Sequence, residues 1–207
     1  MPVPGAPATQ MKLLARDRYA SVINPTPDSA PHGPPASIAL SGFDLVRRYV
    51  AKLAMEKLIV DGRIHPTRIE EAVEQARKEV GKQIKDFGEK ALFDTGIAGL
   101  HPDLVKILGR LRFRTSYGQN VLKHSIEVAF LGSAIAEEIG ADLNIVKKGG
   151  LLHDIGKAVD HEIQGPHALI GRDIAKTFGI NEPVVPATQA PHEDVAPRTT
   201  KARIVQP

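Results

Sequence analysis

Apolar residues recur at helical spacing along most of this chain, and that periodicity predicts a mainly α-helical fold. From Asp44 to about Val60, the residues Val46, Val50, Leu53, Ala54 and Leu58 lie near one face, with Arg47, Arg48 and Lys52 outside it. Asp61-Gly62 closes this helix. Pro66, followed by Thr67 and Glu70, starts a second one. Ile69, Val73, Ala76, Val80, Ile84, Phe87 and Ala91 carry its apolar face to about Phe93. The charges between them alternate in sign, as on a solvated face, so a connecting or dimer-forming helix is expected. From Gly99 a series of shorter helices follows, over residues 102–113, 119–139, 142 to about 153, and 168–178. Only one strand is expected, in the alternating run Ser37-Ile38-Ala39-Leu40-Ser41.

The two ends carry different patterns. Residues 1 to about 36 are rich in Pro, Gly, Ala and Ser, and are expected to be disordered apart from a short helical turn at 11–19. Beyond Asn181, Pro183, Pro186 and Pro191 oppose the helix that Val184-Val185 invites. There is no internal repeat.

Composition sharpens this picture in four respects. Apolar residues make up 42% of the 207, enough for a sizeable core, while aromatics are only 4% with no Trp. The core is therefore expected to be Leu, Ile, Val and Ala on helices. The absence of cysteine excludes disulfides and cysteine-ligated zinc or iron–sulfur sites, and fits a reducing compartment. The net charge of +3 permits a polyanionic partner without demanding one. No run approaches the roughly 18–20 apolar residues of a membrane span. The first residues, Met1-Pro2-Val3-Pro4, lack the basic start and apolar stretch of a signal peptide. A soluble, cytoplasmic chain is the expectation.

Candidate chemistry centres on Leu151-Leu152-His153-Asp154-Ile155-Gly156-Lys157. His153 and Asp154 are adjacent nitrogen and oxygen ligands at the end of an apolar helix, a combination that suits Mn, Fe, Zn or Mg. Lys157 is a point charge suited to a phosphate, or a plain solvent-facing lysine. His124 sits mid-helix on the side of Val121 and Val128, either as a further ligand or as a core histidine bonded to a carbonyl. His161, His167 and His192 follow downstream, so five of the eight histidines fall between 124 and 192. His32, His65 and His101 stand beside Pro or Gly and read as loop or cap residues. A mixed histidine–carboxylate site of this kind activates water and neutralises a phosphoryl group. Arg110, Arg112 and Arg114 alternate just before it. They read equally as a phosphate-tracking patch and as basic residues complementing a helix carboxyl end.

The residues also resemble a known family. The stretch from Arg114 to Ser125 (RTSYGQNVLKHS), the stretch from Leu151 to Glu162 (LLHDIGKAVDHE) and His167-Ala168-Leu169-Ile170-Gly171 are closely similar to ribonuclease Y, a bacterial HD-domain endoribonuclease family. Upstream, Leu40 to Asp44 and Glu56 to Pro66 resemble the last strand and helix of that family's KH domain and the linker beyond. The likeness runs from about residue 37 to 197.

That resemblance implies a metal-dependent endoribonuclease acting on single-stranded RNA in mRNA turnover, associated as a homodimer. By position it implies His124, His153 and Asp154 as metal ligands, with Asp154 and Lys157 at the catalytic centre. It implies His167 and His192 as further histidines that can hold a second metal, while Arg110, Arg112 and Arg114 are taken as RNA contacts on the residue pattern alone. The metal is divalent, with Mn, Mg, Zn and Fe all open. The domain reading that goes with it is a disordered segment at 1–36, a partial KH-like segment at 37–65, a linker helix at 66–98, an HD helical bundle at 99–197 and a tail at 198–207.

The departures from the family pattern are specific. The family's membrane helix and coiled coil are not matched, nor is the glycine loop with which a KH domain clamps nucleic-acid backbone. Pro191-His192-Glu193-Asp194 stands where the family has a His-His-Gly-Asp run. The family's final ligating aspartate and closing helices are not matched either. The expectation is thus a chain truncated at both ends, with an incomplete bundle. Its alternative function is a non-catalytic, RNA-binding or dimerising fragment of such an enzyme.

Overall fold

The computed structural model describes residues 21–23, 39–159, 163–180, 184 and 204, and among these the fold is mainly α-helical. The chain divides into two compact units, residues 1–82 and 83–207. None of the described helices is long and apolar enough to cross a membrane.

In the first unit, β1 (Ser21–Ile23) pairs antiparallel with β2 (Ala39–Ser41), in the register Ser21↔Ser41, Val22↔Leu40 and Ile23↔Ala39. Helix α1 (Leu45–Asp61) follows. Its start is set by Asp44, whose carboxylate accepts from the backbone N–H of Val46 at 2.8 Å and of Arg47 at 3.3 Å. Its end is set by Gly62 in the left-handed region, whose N–H reaches the Leu58 carbonyl at 2.9 Å. Val50, Ala51, Ala54, Met55 and Leu58 form its buried face. Helix α2 (Pro66–Thr95) begins after a turn in which Asp61 binds both Arg63 and Arg68. Ile69, Ala72, Val73, Ala76 and Val80 are buried along its first half. Lys57 of α1 pairs with Glu79 of α2 at 2.9 Å.

The second unit holds the larger core. Helix α3 (Pro102–Arg110) starts at His101, whose Nδ1 accepts from the Asp103 N–H at 3.2 Å, and runs into a 3-10 turn at Leu111–Phe113. Next come β3 (Thr115–Ser116) and β4 (Gln119–Asn120), a two-residue-per-strand hairpin. Helices α4 (Val121–Glu138) and α5 (Leu143–Leu152) pack against each other, a 3-10 turn covers Ile155–Ala158, and α6 (His167–Thr177) follows. Leu104, Leu108, Leu111, Val121, Leu151, Leu152 and Ile155 are fully or almost fully buried in one cluster. It is an aliphatic core with Phe87 and Phe178 only at its margin.

The helices fall within a few residues of their expected ends, but the expectation of one strand is corrected. The described residues contain four. β1 is three residues long, and its partner lies across a proline-rich segment. β3 and β4 are two residues each, too short to show alternation. Their turn is Tyr117-Gly118, with φ of 50° and 79°. Both central residues are therefore left-handed, as a tight hairpin turn demands, but with Tyr where Asn or Asp would signal it. The expected helical turn at 11–19 lies outside the described residues.

Close contact of α4 and α5 depends on Gly150. A Cβ there would lie 2.9 Å from Ala129 Cα and 3.0 Å from Ala129 N. Gly81 of α2, by contrast, has nothing within 4 Å of a Cβ position. Gly81→Ala is expected to stabilise the chain by up to about 1 kcal/mol through helix propensity. Gly150→Ala is expected to destabilise it by ~1–3 kcal/mol through overpacking. Urea unfolding followed by circular dichroism checks the opposite signs.

Candidate metal centre

Three local structures converge on one point in the second unit. The first is the start of α4. The Asn120 side chain caps that helix, accepting from the Lys123 N–H at 3.2 Å. Its amide also donates to the carbonyls of Arg112 at 2.7 Å and Arg114 at 3.2 Å. One side chain thus ties the hairpin to the helix whose next turn carries His124. The second is the end of α5, capped at its start by Asp142, which accepts from Asn144 and Ile145 N–H groups. His153 terminates that helix, and Asp154 leaves helical geometry with φ of −101° and ψ of 12°. The third is the start of α6, where His167 is the first residue.

His124, His153 and Asp154 offer ligand atoms that all lie within 4.8 Å of one another. The rings of His124 and His153 meet edge to face, with centroids 5.1 Å apart. His153 Nδ1 lies 2.7 Å from the Gly150 carbonyl, so Nδ1 holds the proton and donates it there. Nε2 faces Asp154 Oδ2 at 3.4 Å. A ring nitrogen and a carboxylate oxygen facing each other at this distance are a donor pair that can share a cation. Bonds of about 2.0–2.2 Å to such donors put neighbouring ligand atoms about 3–4 Å apart. The His153–Asp154 spacing falls in that range, and the two-nitrogen, one-oxygen donor set suits a divalent ion.

Asp154 is 1% exposed and His153 only 2%. The Lys157 ammonium donates to Asp154 Oδ2 at 2.9 Å from three residues on, across the 3-10 turn. His167 Nε2 lies 3.9 Å from Asp154 Oδ1. Burial, reinforced by the neighbouring His153, pushes the His124 imidazole below its ordinary titration range. It is therefore more fully neutral at pH 7 than a free histidine, which is the state a metal needs.

Gly156 sets the distance to α6. A Cβ on it would fall 1.9 Å from the His167 carbonyl oxygen and 2.9 Å from the Gly171 N. Any side chain there would push α6, and His167 with it, away from Asp154. The sequence pattern marked Gly156 only as part of the motif. It gave no sign of the Gly150 carbonyl that orients His153, or of the double role of Asn120.

The structure brings together five of the candidates: His124, His153 and Asp154, with Lys157 and His167 beside Asp154. Arg110 ends α3, Arg112 lies exposed in the 3-10 turn with its guanidinium 5.3 Å from the Phe87 ring centroid, and Arg114 leads into the hairpin. His161, Pro191 and His192 lie outside the described residues. His65 and His101 do act as caps, each accepting from a backbone N–H.

Comparison with known proteins adds an independent line. A family model described as HD domain matches residues 121–206, which includes His124, His153, Asp154 and Lys157. Ribonuclease Y of Thermoanaerobacter pseudethanolicus is 59% identical over 172 residues, covering 83% of this chain and 34% of that protein. Ribonuclease Y of Clostridium novyi is also 59% identical, and that of Desulforudis audaxviator 56%, with the same coverage. The chain thus spans about a third of the length of the curated relatives it matches. No solved structure matches it.

Two outcomes are expected from this geometry. Lys157→Ala removes the ammonium that donates to the buried Asp154 carboxylate and should destabilise the metal-free chain by ~1–3 kcal/mol. Mn²⁺ should restore much of the loss, as urea unfolding with EDTA and with Mn²⁺ would read. In metal-free protein the His124 ring should titrate below the ordinary histidine value, so it gains its proton, and metal affinity falls, only as pH drops through that lowered value. NMR of the ring protons against pH checks this.

Proposed function

We propose, from the chain's 56–59% identity to ribonuclease Y proteins over 83% of its length, that it is a member of that family and a divalent-metal-dependent endoribonuclease cleaving phosphodiester bonds of single-stranded RNA in mRNA turnover. The observation that carries the reading is the convergence of His124, His153 and Asp154 within 4.8 Å inside the segment that matches an HD domain.

In this proposal His124, His153 and Asp154 hold the cation, with His167 and His192 available to a second. A bound divalent ion supplies a water acidic enough to act as nucleophile and neutralises charge on the phosphoryl group. The chain's own residues do the rest. The Gly150 carbonyl keeps the His153 Nε2 lone pair aimed at the centre by accepting the Nδ1 proton. Lys157 holds the Asp154 carboxylate in place in its buried position. Lys157 also puts its ammonium beside the reacting phosphate and contacts an oxygen there. Arg110, Arg112 and Arg114 supply positive charge along the RNA backbone.

The domain division proposed with it is a KH-like segment at 37–65, a linker helix at 66–98 and the HD bundle from 99 to 197. The proposed assembly is a homodimer and the proposed compartment the cytoplasm. The alternating charges of α2, with pairs such as Lys85–Glu89 and Lys90–Asp94, give this helix one solvated face beside its buried one.

The test is cleavage of an end-labelled single-stranded RNA by the purified chain. Internal cuts are expected with Mn²⁺ or Mg²⁺, none with EDTA, and a loss of about 100-fold or more in His153→Ala. RNA binding without metal-dependent cutting, beside an active full-length relative, would mean a non-catalytic role instead.

A further inference from the structure

A second feature of the same unit lies on the other side of α4. Successive helical residues turn by about 100°, so Leu122 and Ile126 project nearly opposite to His124. There they line an open cleft of about 330 Å³ with Phe87 and Lys90 of α2, Arg112 of the 3-10 turn and Lys123 of α4. That volume is at the small end of the range of small-molecule sites. The floor is apolar: Leu122 is buried, Ile126 and Phe87 half-buried. The rim is cationic, with Lys90, Arg112 and Lys123 exposed against one carboxylate, Asp94.

The cations are placed for use. The Arg112 guanidinium lies 5.3 Å from the Phe87 ring centroid, and Phe87 meets Phe113 edge to face with centroids 6.2 Å apart. The arginine is thereby steered over the floor instead of trailing into solvent. Lys90 and Lys123 pair with Asp94 and Glu127 at 3.6 Å. Exposed pairs at that distance are weak and easily exchanged for a better anion. An apolar floor for a ring, a planar cation to stack on it and two lysines for a phosphate match a nucleotide. They match an unpaired one, since a base in a duplex has no free face.

We propose that this cleft holds one nucleotide of single-stranded RNA away from the cutting site, its base against Phe87 and Arg112 and its phosphate between Lys90 and Lys123. Lys123 and His124 are consecutive, so a strand leaving the metal centre passes around the first turns of α4 to reach the cleft. The cleft would then set how far from an anchored nucleotide the backbone is cut. This inference rests on the reading of the chain as an RNA-cleaving enzyme.

The test uses the whole chain, a fluorescent single-stranded oligoribonucleotide and anisotropy in EDTA, so that binding is read without cutting. Arg112→Ala with Lys123→Ala should weaken binding about tenfold and reduce the salt slope by roughly 1 to 1.5. Arg112→Lys keeps the charge but loses the planar face, and should still weaken binding about fivefold. It is an exposed, conservative change, so the fold is retained; circular dichroism confirms that. If wild type binds and, with Mn²⁺, cuts the RNA while all three substitutions leave affinity unchanged, the cleft proposal is wrong and the enzymatic reading stands. If wild type neither binds nor cuts RNA, both fall. Displacement of the RNA by polyglutamate at equal charge concentration would overturn RNA as the occupant, because a charge patch alone would then explain the binding.

Discussion

The centre of this protein depends on a carboxylate that water does not reach. Moving such an ion from solvent into the interior costs several kcal/mol even after relaxation. Groups that offset that cost for Asp154 include the Lys157 ammonium at 2.9 Å and the nitrogens of His153 and His167 at 3.4 and 3.9 Å. A divalent cation held among His124, His153 and Asp154 would add positive charge beside that carboxylate, so metal uptake and the stability of the buried group are linked. Stability and function are coupled through one side chain.

The helices are arranged to make that coupling possible. His124 and His153 sit on different helices, and their rings meet only because α4 and α5 come close. That approach relies on the bare Cα of Gly150 against Ala129. The same residue's carbonyl fixes the His153 tautomer, so a single glycine acts twice, through its missing side chain and through its backbone. Asn120 is likewise used twice, once as the cap of α4 and once as the clamp on the hairpin that precedes it.

Much of this was legible in the sequence, and for a physical reason. Helices of three turns or more repeat their apolar spacing often enough to be read, as α2 and α4 show. Their ends were marked by Asp44, Gly62, Pro66 and Asp142, whose capping chemistry is local. The His-Asp pair was legible as chemistry, and its partner His124 as an ambiguous core histidine. The strands were not legible, because two or three residues carry no period and their pairing is a tertiary fact. The cleft was not legible either. Phe87, Arg112 and Lys123 come from three elements, and only the crossing of α2 beside the start of α4 brings them together. Arg112 had been readable as one of three equivalent arginines, whereas in the fold its guanidinium lies over the Phe87 ring.

Gly156 shows how a motif residue acquires a reason. In His153-Asp154-Ile155-Gly156-Lys157 the ligands and the lysine have evident chemistry, and the glycine has none. Its role appears only in three dimensions, where the first carbonyl of α6 rests on its Cα. The 3-10 turn then serves two purposes at once. It is tight enough to return Lys157 onto Asp154, and it is smooth enough on one side for α6 to close against it. A β-carbon at 156 would leave the Asp154–Lys157 pair intact, since that contact is local to the turn. It would move His167 outward, since that contact crosses the packed surface. The motif therefore separates into a local part, which the chain makes by itself, and a long-range part, which depends on the absence of a side chain.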